Sequence, residues 1–263
     1  MDPIAEAPPR GLLDPHAGAG LYRESFIPVA ADLAAVLAHH WTVRWDLGDR
    51  EPYMVEVLPH PAVILVVDSG VCRVHGVLRG RFEQALAGSG DIFGTTFRPG
   101  GFHAVLGRPV AALTDRVVPG TEIFGGAADV FAARVADAVT PDERREFSEQ
   151  FVRQHISVPA PGVALVNEIV DAVLADREIL RVDDIAARFG LGKRTLQKLF
   201  REYVGVSPKW VIQRYRLHEA AQRLDSAEAD LATVAAELGY ADQAHFARDF
   251  KSATGRAPAA YRC

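Results

Sequence analysis

Between residues 38 and 118 the apolar positions fall into short runs, several of them alternating with polar ones. Trp41–Trp45, Met54–Leu58, Val63–Val67, Val71–Leu78 and Ala111–Val118 are rich in β-branched and aromatic residues. Turn-forming text separates them: Asp68-Ser69-Gly70, Arg79-Gly80-Arg81, Gly88-Ser89-Gly90-Asp91 and Pro99-Gly100-Gly101. Short strands at that spacing predict a β-barrel or sandwich. Residues 1 to about 20, rich in Pro, Gly and Ala, read as a loose lead-in.

The period then changes from two to nearly four. Gly126–Val139 places Phe131, Val135, Ala138 and Val139 on one helical face. Thr140-Pro141-Asp142-Glu143 has the form of a capping box, with Thr140 as cap, Pro141 in the first turn and Glu143 three residues on. The stretch 157–162, Ser-Val-Pro-Ala-Pro-Gly, reads as a loop. Val163–Ala175 carries a stripe of Val163, Val166, Val170 and Val173, suited to packing within the chain or to a dimer seam.

The last third contains an internal repeat. Asp184-Ile185-Ala186-Ala187-Arg188-Phe189-Gly190 parallels Thr233-Val234-Ala235-Ala236-Glu237-Leu238-Gly239. A short turn and a second amphipathic segment follow each glycine, with Leu196 and Phe200 matching Phe246 and Phe250 and one extra residue in the second turn. In each half the first helix offers an apolar stripe beside small alanines, and the glycine ends it where a left-handed residue costs little. The second helix buries two large residues against the first and leaves its other face polar. That is a helix-turn-helix, whose second helix fits a major groove about 12 Å wide. Ser207-Pro208 starts the helix between the halves, which runs through Trp210, Ile212, Tyr215 and Leu217 to about Leu224. Its roughly 18 residues span about 27 Å, against about 34 Å for one turn of DNA.

Charge divides along the same line. The whole 263-residue chain carries −5, but residues 180–263 carry +4 and residues 1–179 carry −9, with all four lysines in the C-terminal part. A basic module on an acidic one points to a polyanion partner for the C-terminus alone. The composition, 49% hydrophobic and 24% charged, is that of a folded chain. No apolar run approaches the ~18 residues of a membrane helix, and Ala62–Val67 is the strongest. The N-terminus has no apolar signal core, and two cysteines, Cys72 and Cys263, make no disulfide framework. These features fit a cytoplasmic protein with no membrane partner.

From Asp183-Asp184-Ile185-Ala186 through Arg194–Phe200, Gly205–Lys209, Arg216-Leu217, Gly239–Phe246 and Arg248–Lys251 to Gly255, Pro258 and Tyr261, about 80 residues resemble the DNA-binding domain of the AraC/XylS family of bacterial transcription regulators. The resemblance implies an α+β chain: a cupin-like barrel or sandwich with trailing helices over 1–157, a linker and connecting helix over 158–179, and an all-α tandem helix-turn-helix domain over 180–263. It implies double-stranded DNA held in two successive major grooves, a homodimer, an unidentified small-molecule effector, and RNA polymerase as partner of an activator.

Carried onto matching positions, the base-reading face comprises Arg194, Gln197 and Lys198 in the first motif. In the second it comprises Gln243, Ala244, Ala247 and Arg248. Arg and Lys suit guanine O6/N7, Gln suits adenine N6/N7, and alanines offer only contact to a thymine methyl. Lys198 and Arg248 equally suit phosphate, and Lys209 and Lys251 are expected at the DNA backbone. His245, beside Phe246, is expected to pack.

No enzyme site is legible, and neither a cofactor nor a metal is expected. His-x-His is missing, His39 and His40 point to opposite faces of a strand, and His60 and His75 stand isolated. Arg98–His103 matches only part of a cupin motif. Cys72, in an alternating strand, reads as structural. Trp41, Trp45 and Tyr53 suit the core or a pocket. A metal-dependent sensor or enzyme-like cupin is the alternative for the N-terminal domain.

Overall fold

A computed structural model describes residues 11–13, 18–157, 161–224 and 230–261. Cys263 and the proline-rich centre of the 157–162 stretch lie outside the described residues. Among the described residues the N-terminal half has eight strands: β1 (Tyr22–Ile27), β2 (Leu37–Asp46), β3 (Tyr53–Val57), β4 (Ile64–Asp68), β5 (Val71–His75), β6 (Phe82–Leu86), β7 (Ser89–Phe97) and β8 (Val117–Pro119). Six form an antiparallel sheet in the order β1-β2-β7-β4-β5-β8, and β3 pairs with β6 in a second, two-stranded sheet. Helix α1 (His103–Leu106) lies between β7 and β8, and α2 (Thr121–Phe124), α3 (Ala127–Asp137), α4 (Pro141–His155) and α5 (Pro161–Ala175) follow the last strand. The regular elements described in the C-terminal part are all helices: α6 (Val182–Phe189), α7 (Lys193–Tyr203), α8 (Pro208–Leu224), α9 (Leu231–Glu237), α10 (Gln243–Thr254) and α11 (Pro258–Tyr261). The chain is therefore α+β, sheet first and helices after.

Turn chemistry sets the hairpin at β4–β5. Ser69 and Gly70 both take positive φ, 50° and 73°, as a two-residue turn of matching twist requires. Side-chain alternation then gives the large sheet two unlike faces. Leu65, Val67, Cys72, Val74, Phe93 and Phe97 are buried toward the helices. On that face His40 donates or accepts at Thr95 Oγ1 (2.9 Å), Thr95 contacts Ser148 Oγ (2.7 Å), and Glu149 accepts the Ala30 N–H (2.8 Å). Burial pushes His40 down to about 4, so it sits neutral in this network.

Several sequence expectations need correcting. β1 lies outside the expected strand window of 38–118, and β6 and β7 are strands that the apolar alternation does not single out. Gly88 (φ 56°) turns the chain, but Ser89 onward is β7. Gly90 and Gly94 do not break it; the Trp45 and Trp41 rings occupy the space where their Cβ atoms would stand. Ala111–Leu113 belongs to a 3-10 turn that buries Val110 and Leu113, and only Val117–Pro119 is strand. β5 ends at His75, and the next position admits only glycine, because a Cβ on Gly76 would stand 1.8 Å from the Leu113 carbonyl oxygen. The lead-in is not uniformly loose: Leu13 is buried, and the Leu58 N–H donates to Gly11 O at 2.7 Å. Helix α3 stops at Asp137, leaving Val139 83% exposed and off the buried face of Phe131 and Val135.

Thr140 caps α4 through the full reciprocal box with Glu143. The valine stripe of α5 is buried within the chain, against α7 and α8, so it offers no open dimer seam. Asn167 ties α5 to the sheet domain, its Oδ1 accepting from Gly100 N–H and its Nδ2 donating to Ala35 O, both at 3.0 Å.

Candidate nucleic-acid interface

The two helix-turn-helix units are built by the same backbone device. Gly190 and Gly239 adopt φ 63° and 72°, and the following N–H folds back five residues, Leu191 to Ala186 O and Tyr240 to Ala235 O, each at 3.0 Å. These bonds satisfy carbonyls that the helix end would orphan. The Asp184 carboxylate accepts the Leu180 and Arg181 N–H groups at the start of α6 (2.9 and 2.6 Å). Asp230 caps α9 and Asp242 caps α10, the latter accepting from His245 N–H at 2.7 Å. Ser207 caps α8 through the Trp210 N–H at 3.2 Å.

Each second helix is pinned by two fully buried residues, Leu196 and Phe200 in α7, Phe246 and Phe250 in α10. The two motifs nevertheless sit in different cores. Ile185, Leu196 and Phe200 belong to one continuous core that reaches through α5 into the sheet domain. Val234, Leu238, Phe246 and Phe250 form a smaller second core with Leu217, Leu224 and Tyr261 from neighbouring helices, joined by Leu13 and Leu58.

The faces turned away from these cores carry the residues singled out in the sequence. Arg194, Gln197 and Lys198 are exposed along α7, and Gln243, Ala244 and Arg248 along α10, with Ala247 partly buried. Lys209 is exposed at the start of α8 and Lys251 in the last turn of α10. Sequence reasoning missed Arg201, exposed seven residues beyond Arg194 on the same stripe; its spacing was the available signal. His245 is a correction: it is exposed, 3.6 Å from Asp249 and edge-on to Tyr240, not packed in the core.

Ion pairing separates these cations from their neighbours. Arg188 pairs with Asp176 (2.5 Å), Lys193 with Asp183 (2.6 Å), Arg177 with Glu219 (2.8 Å), and Arg223 with Glu219 and Glu237. Among the described residues Arg194, Lys198, Arg201, Lys209, Arg248 and Lys251 form no ion pair, so their charge is available to an external anion.

The sheet domain grips the helical part away from both faces. His103 meets Glu202 at 3.0 Å, and Thr114 Oγ1 donates to Gly205 O at 2.6 Å. Arg214, stacked over Trp210, donates to Arg79 O at 2.5 Å. The His60 ring stacks on His218 at 4.1 Å, so His60 is not isolated as its sequence context implied. Glu56 holds both Arg81 (3.0 Å) and Arg256 (2.7 Å), and Arg81 also donates to Thr254 O at the end of α10. Among the described residues no group of three or more His, Cys, Asp and Glu side chains could hold a metal ion. Cys72 is buried, and that burial pushes its thiol up to about 12, which leaves it unreactive at neutral pH.

A tandem helix-turn-helix unit with two open polar faces defines a class of DNA-binding protein. Residues 185–263 match the family model of a helix-turn-helix domain, and residues 25–119 match a domain of unknown function (DUF6597). AarP of Providencia stuartii, an HTH-type transcriptional activator, is 30% identical over 112 residues, 43% of this chain and 82% of its own. The probable transcription factor PqrA of Proteus vulgaris is 31% identical over 101 residues, 37% of this chain and 83% of its own. The chain belongs to the AraC/XylS family of transcription regulators. With the transcriptional activator RhaS of Pectobacterium carotovorum it shares 35% identity over 78 residues, 30% of this chain and only 28% of RhaS. A ToxT structure from Vibrio cholerae aligns over 92% of this chain and 96% of its own, at 14% identity and a TM-score of 0.38, too slight a likeness to bear on function. No described helix is long and apolar enough to cross a membrane.

Proposed function

We propose that the protein is a sequence-specific DNA-binding transcription factor in which α7 and α10 enter successive major grooves on one face of the duplex. The observation that carries the reading is the set of cations without ion pairs on two exposed helix faces, beside neighbours whose cations are neutralised. Helix α8, at 17 residues, is about 26 Å long, a separation compatible with one DNA turn of about 34 Å once the width of the flanking helices is added. Arg194, Gln197 and Lys198 are the more demanding reader. Gln243, Ala244, Ala247 and Arg248 form a plainer one, in which the alanines restrict contact to thymine methyls. Lys209, Lys251 and Arg201 serve the phosphates.

In this reading residues 1–157 form the sensor, 158–179 the connection and 180–263 the DNA-binding domain. A small-molecule effector bound by the sheet domain shifts DNA affinity through the contacts made by Glu56, His60, His103 and Thr114. The protein acts as a non-enzymatic, cytoplasmic regulator, as a homodimer where operators are paired, and with RNA polymerase where it activates. Binding titrations on matched and mismatched duplexes test the reader. Arg194→Ala should cost about 1–3 kcal/mol and relax preference at one base pair, whereas Lys209→Ala should weaken all sequences alike. Equal losses on both duplexes for Arg194→Ala would remove its base-reading role.

A further inference from the structure

The inner face of the large sheet, turned away from the helices, has an unusual content. Register places Glu24 of β1 opposite Val43, with Tyr22 opposite Trp45 and Phe26 opposite Trp41. Side chains two residues apart share a face, so Glu24 is surrounded by Tyr22, Phe26, Trp41 and Trp45. Both indoles lie over glycines of β7, Trp41 above Gly94 and Trp45 above Gly90. A Cβ on either glycine would stand 2.1–2.7 Å from three atoms of the facing indole, so each ring lies directly against β7. Two hydrogen bonds hold them there, Trp41 Nε1 to Thr96 Oγ1 (3.2 Å) and Trp45 Nε1 to Ala87 O (3.1 Å). Tyr53 of the facing sheet approaches Tyr22, with ring centroids 6.2 Å apart.

The rings are only partly buried, so this is a lined surface and not a packed core. Glu24 forms neither a hydrogen bond nor an ion pair among the described residues. Burial alone raises its carboxyl to about 7. The nearby arginines Arg23 and Arg44 alternate to the opposite face. His39 shares the inner face, but burial foremost, and His60 second, hold it down to about 4, so it brings no positive charge at neutral pH.

A carboxylate without a counter-ion, flanked by aromatic side chains, is an arrangement suited to an organic cation. We propose that this face binds a small alkylammonium, a primary amine or a quaternary ammonium, with Glu24 as its counter-ion and the Trp41 and Trp45 rings as its walls. The proposal deepens the sensor reading above and names the chemical class of the effector. No covalent step is involved, and binding favours the ionised carboxylate.

The test uses the full chain, with tryptophan fluorescence and calorimetry as readouts and choline, n-butylamine and tetramethylammonium as probes. The uncharged isostere 3,3-dimethylbutan-1-ol is the control. At least one cation should give saturable binding below about 10 mM and bind at least about tenfold tighter than the isostere. Glu24→Gln should remove that advantage and Glu24→Asp should keep most of it, with circular dichroism confirming the fold of each. No saturable binding by any cation, an isostere equal to the cations, or an advantage surviving in Glu24→Gln would overturn the proposal. A parallel titration of operator DNA separates the two claims: cation binding that leaves DNA affinity unchanged would refute the sensor reading while the cation site stands.

Discussion

The division of the helix-turn-helix pair between two cores makes a sharp prediction about Phe250→Ala. Phe250 is fully buried and meets Phe246 at 5.6 Å and Tyr261 at 5.2 Å between ring centroids. Removing such a ring costs about 3–5 kcal/mol, the lost transfer energy plus the cavity left behind. A whole domain is stable by only about 5–15 kcal/mol, and local units open at still lower cost. The second core is small, and its links to the rest include Leu13 and Leu58, helix α8, whose Val211 and Ile212 lie in the first core and Leu217 and Leu224 in the second, and the Glu56–Arg256 and Arg81–Thr254 contacts. A loss of that size should melt α9 and α10 while the first motif, buried in the larger core, stays folded. Hydrogen exchange on the variant should show lost protection in 231–254 and retained protection in the β-sheet and in α6–α7. DNA affinity should fall to that of one reader. Uniform loss of protection along the chain would refute the separation of the two cores.

Other outcomes follow from single contacts. Glu24 has a folded-state pKa of about 7 against an ordinary 4.5, so the folded chain keeps a proton that the unfolded chain has released. Stability should therefore fall as pH rises through that window and level off above it; Glu24→Gln should be more stable than the parent at pH 8, by at most about 3 kcal/mol, and little changed at pH 4.5. Equal urea midpoint shifts at both pH values would contradict this. His39, His40 and His75 are all held down to about 4 chiefly by burial, so the unfolded chain binds protons first and stability should decline as pH drops from 6.5 toward 4, measurable by denaturant titration across that range. Gly94→Ala drives a methyl into the Trp41 indole and should cost about 1–3 kcal/mol with a red-shifted tryptophan emission, whereas Gly80→Ala, which meets open space, should do neither.

What was legible in the sequence was what local chemistry determines. The Thr140–Glu143 box, the Ser207 cap and the two turn glycines each act over three to five residues, and all four stand where the text placed them. The repeat was legible because two copies of one packing problem need the same residue types. The sheet was less so. Gly90 and Gly94 look like turn or breaker residues, and only the indoles lying on them, from residues about fifty positions away, explain why a strand needs them. The His60–His218 stack and the Glu56–Arg256 pair join residues more than 150 positions apart and leave no local trace. Glu24 leaves no local trace for the same reason: its isolation among aromatics depends on the β1–β2 register, in a strand that apolar alternation does not mark.

The central claim is that one chain carries two readers on one face of DNA. Hydroxyl-radical footprinting of the protein on a duplex selected from a random pool tests it most directly. Two protected patches about one helical turn apart on the same face are expected, with Arg194→Ala weakening one patch and Arg248→Ala the other. A single protected groove, or protection that moves freely along the duplex without sequence preference, would contradict the account.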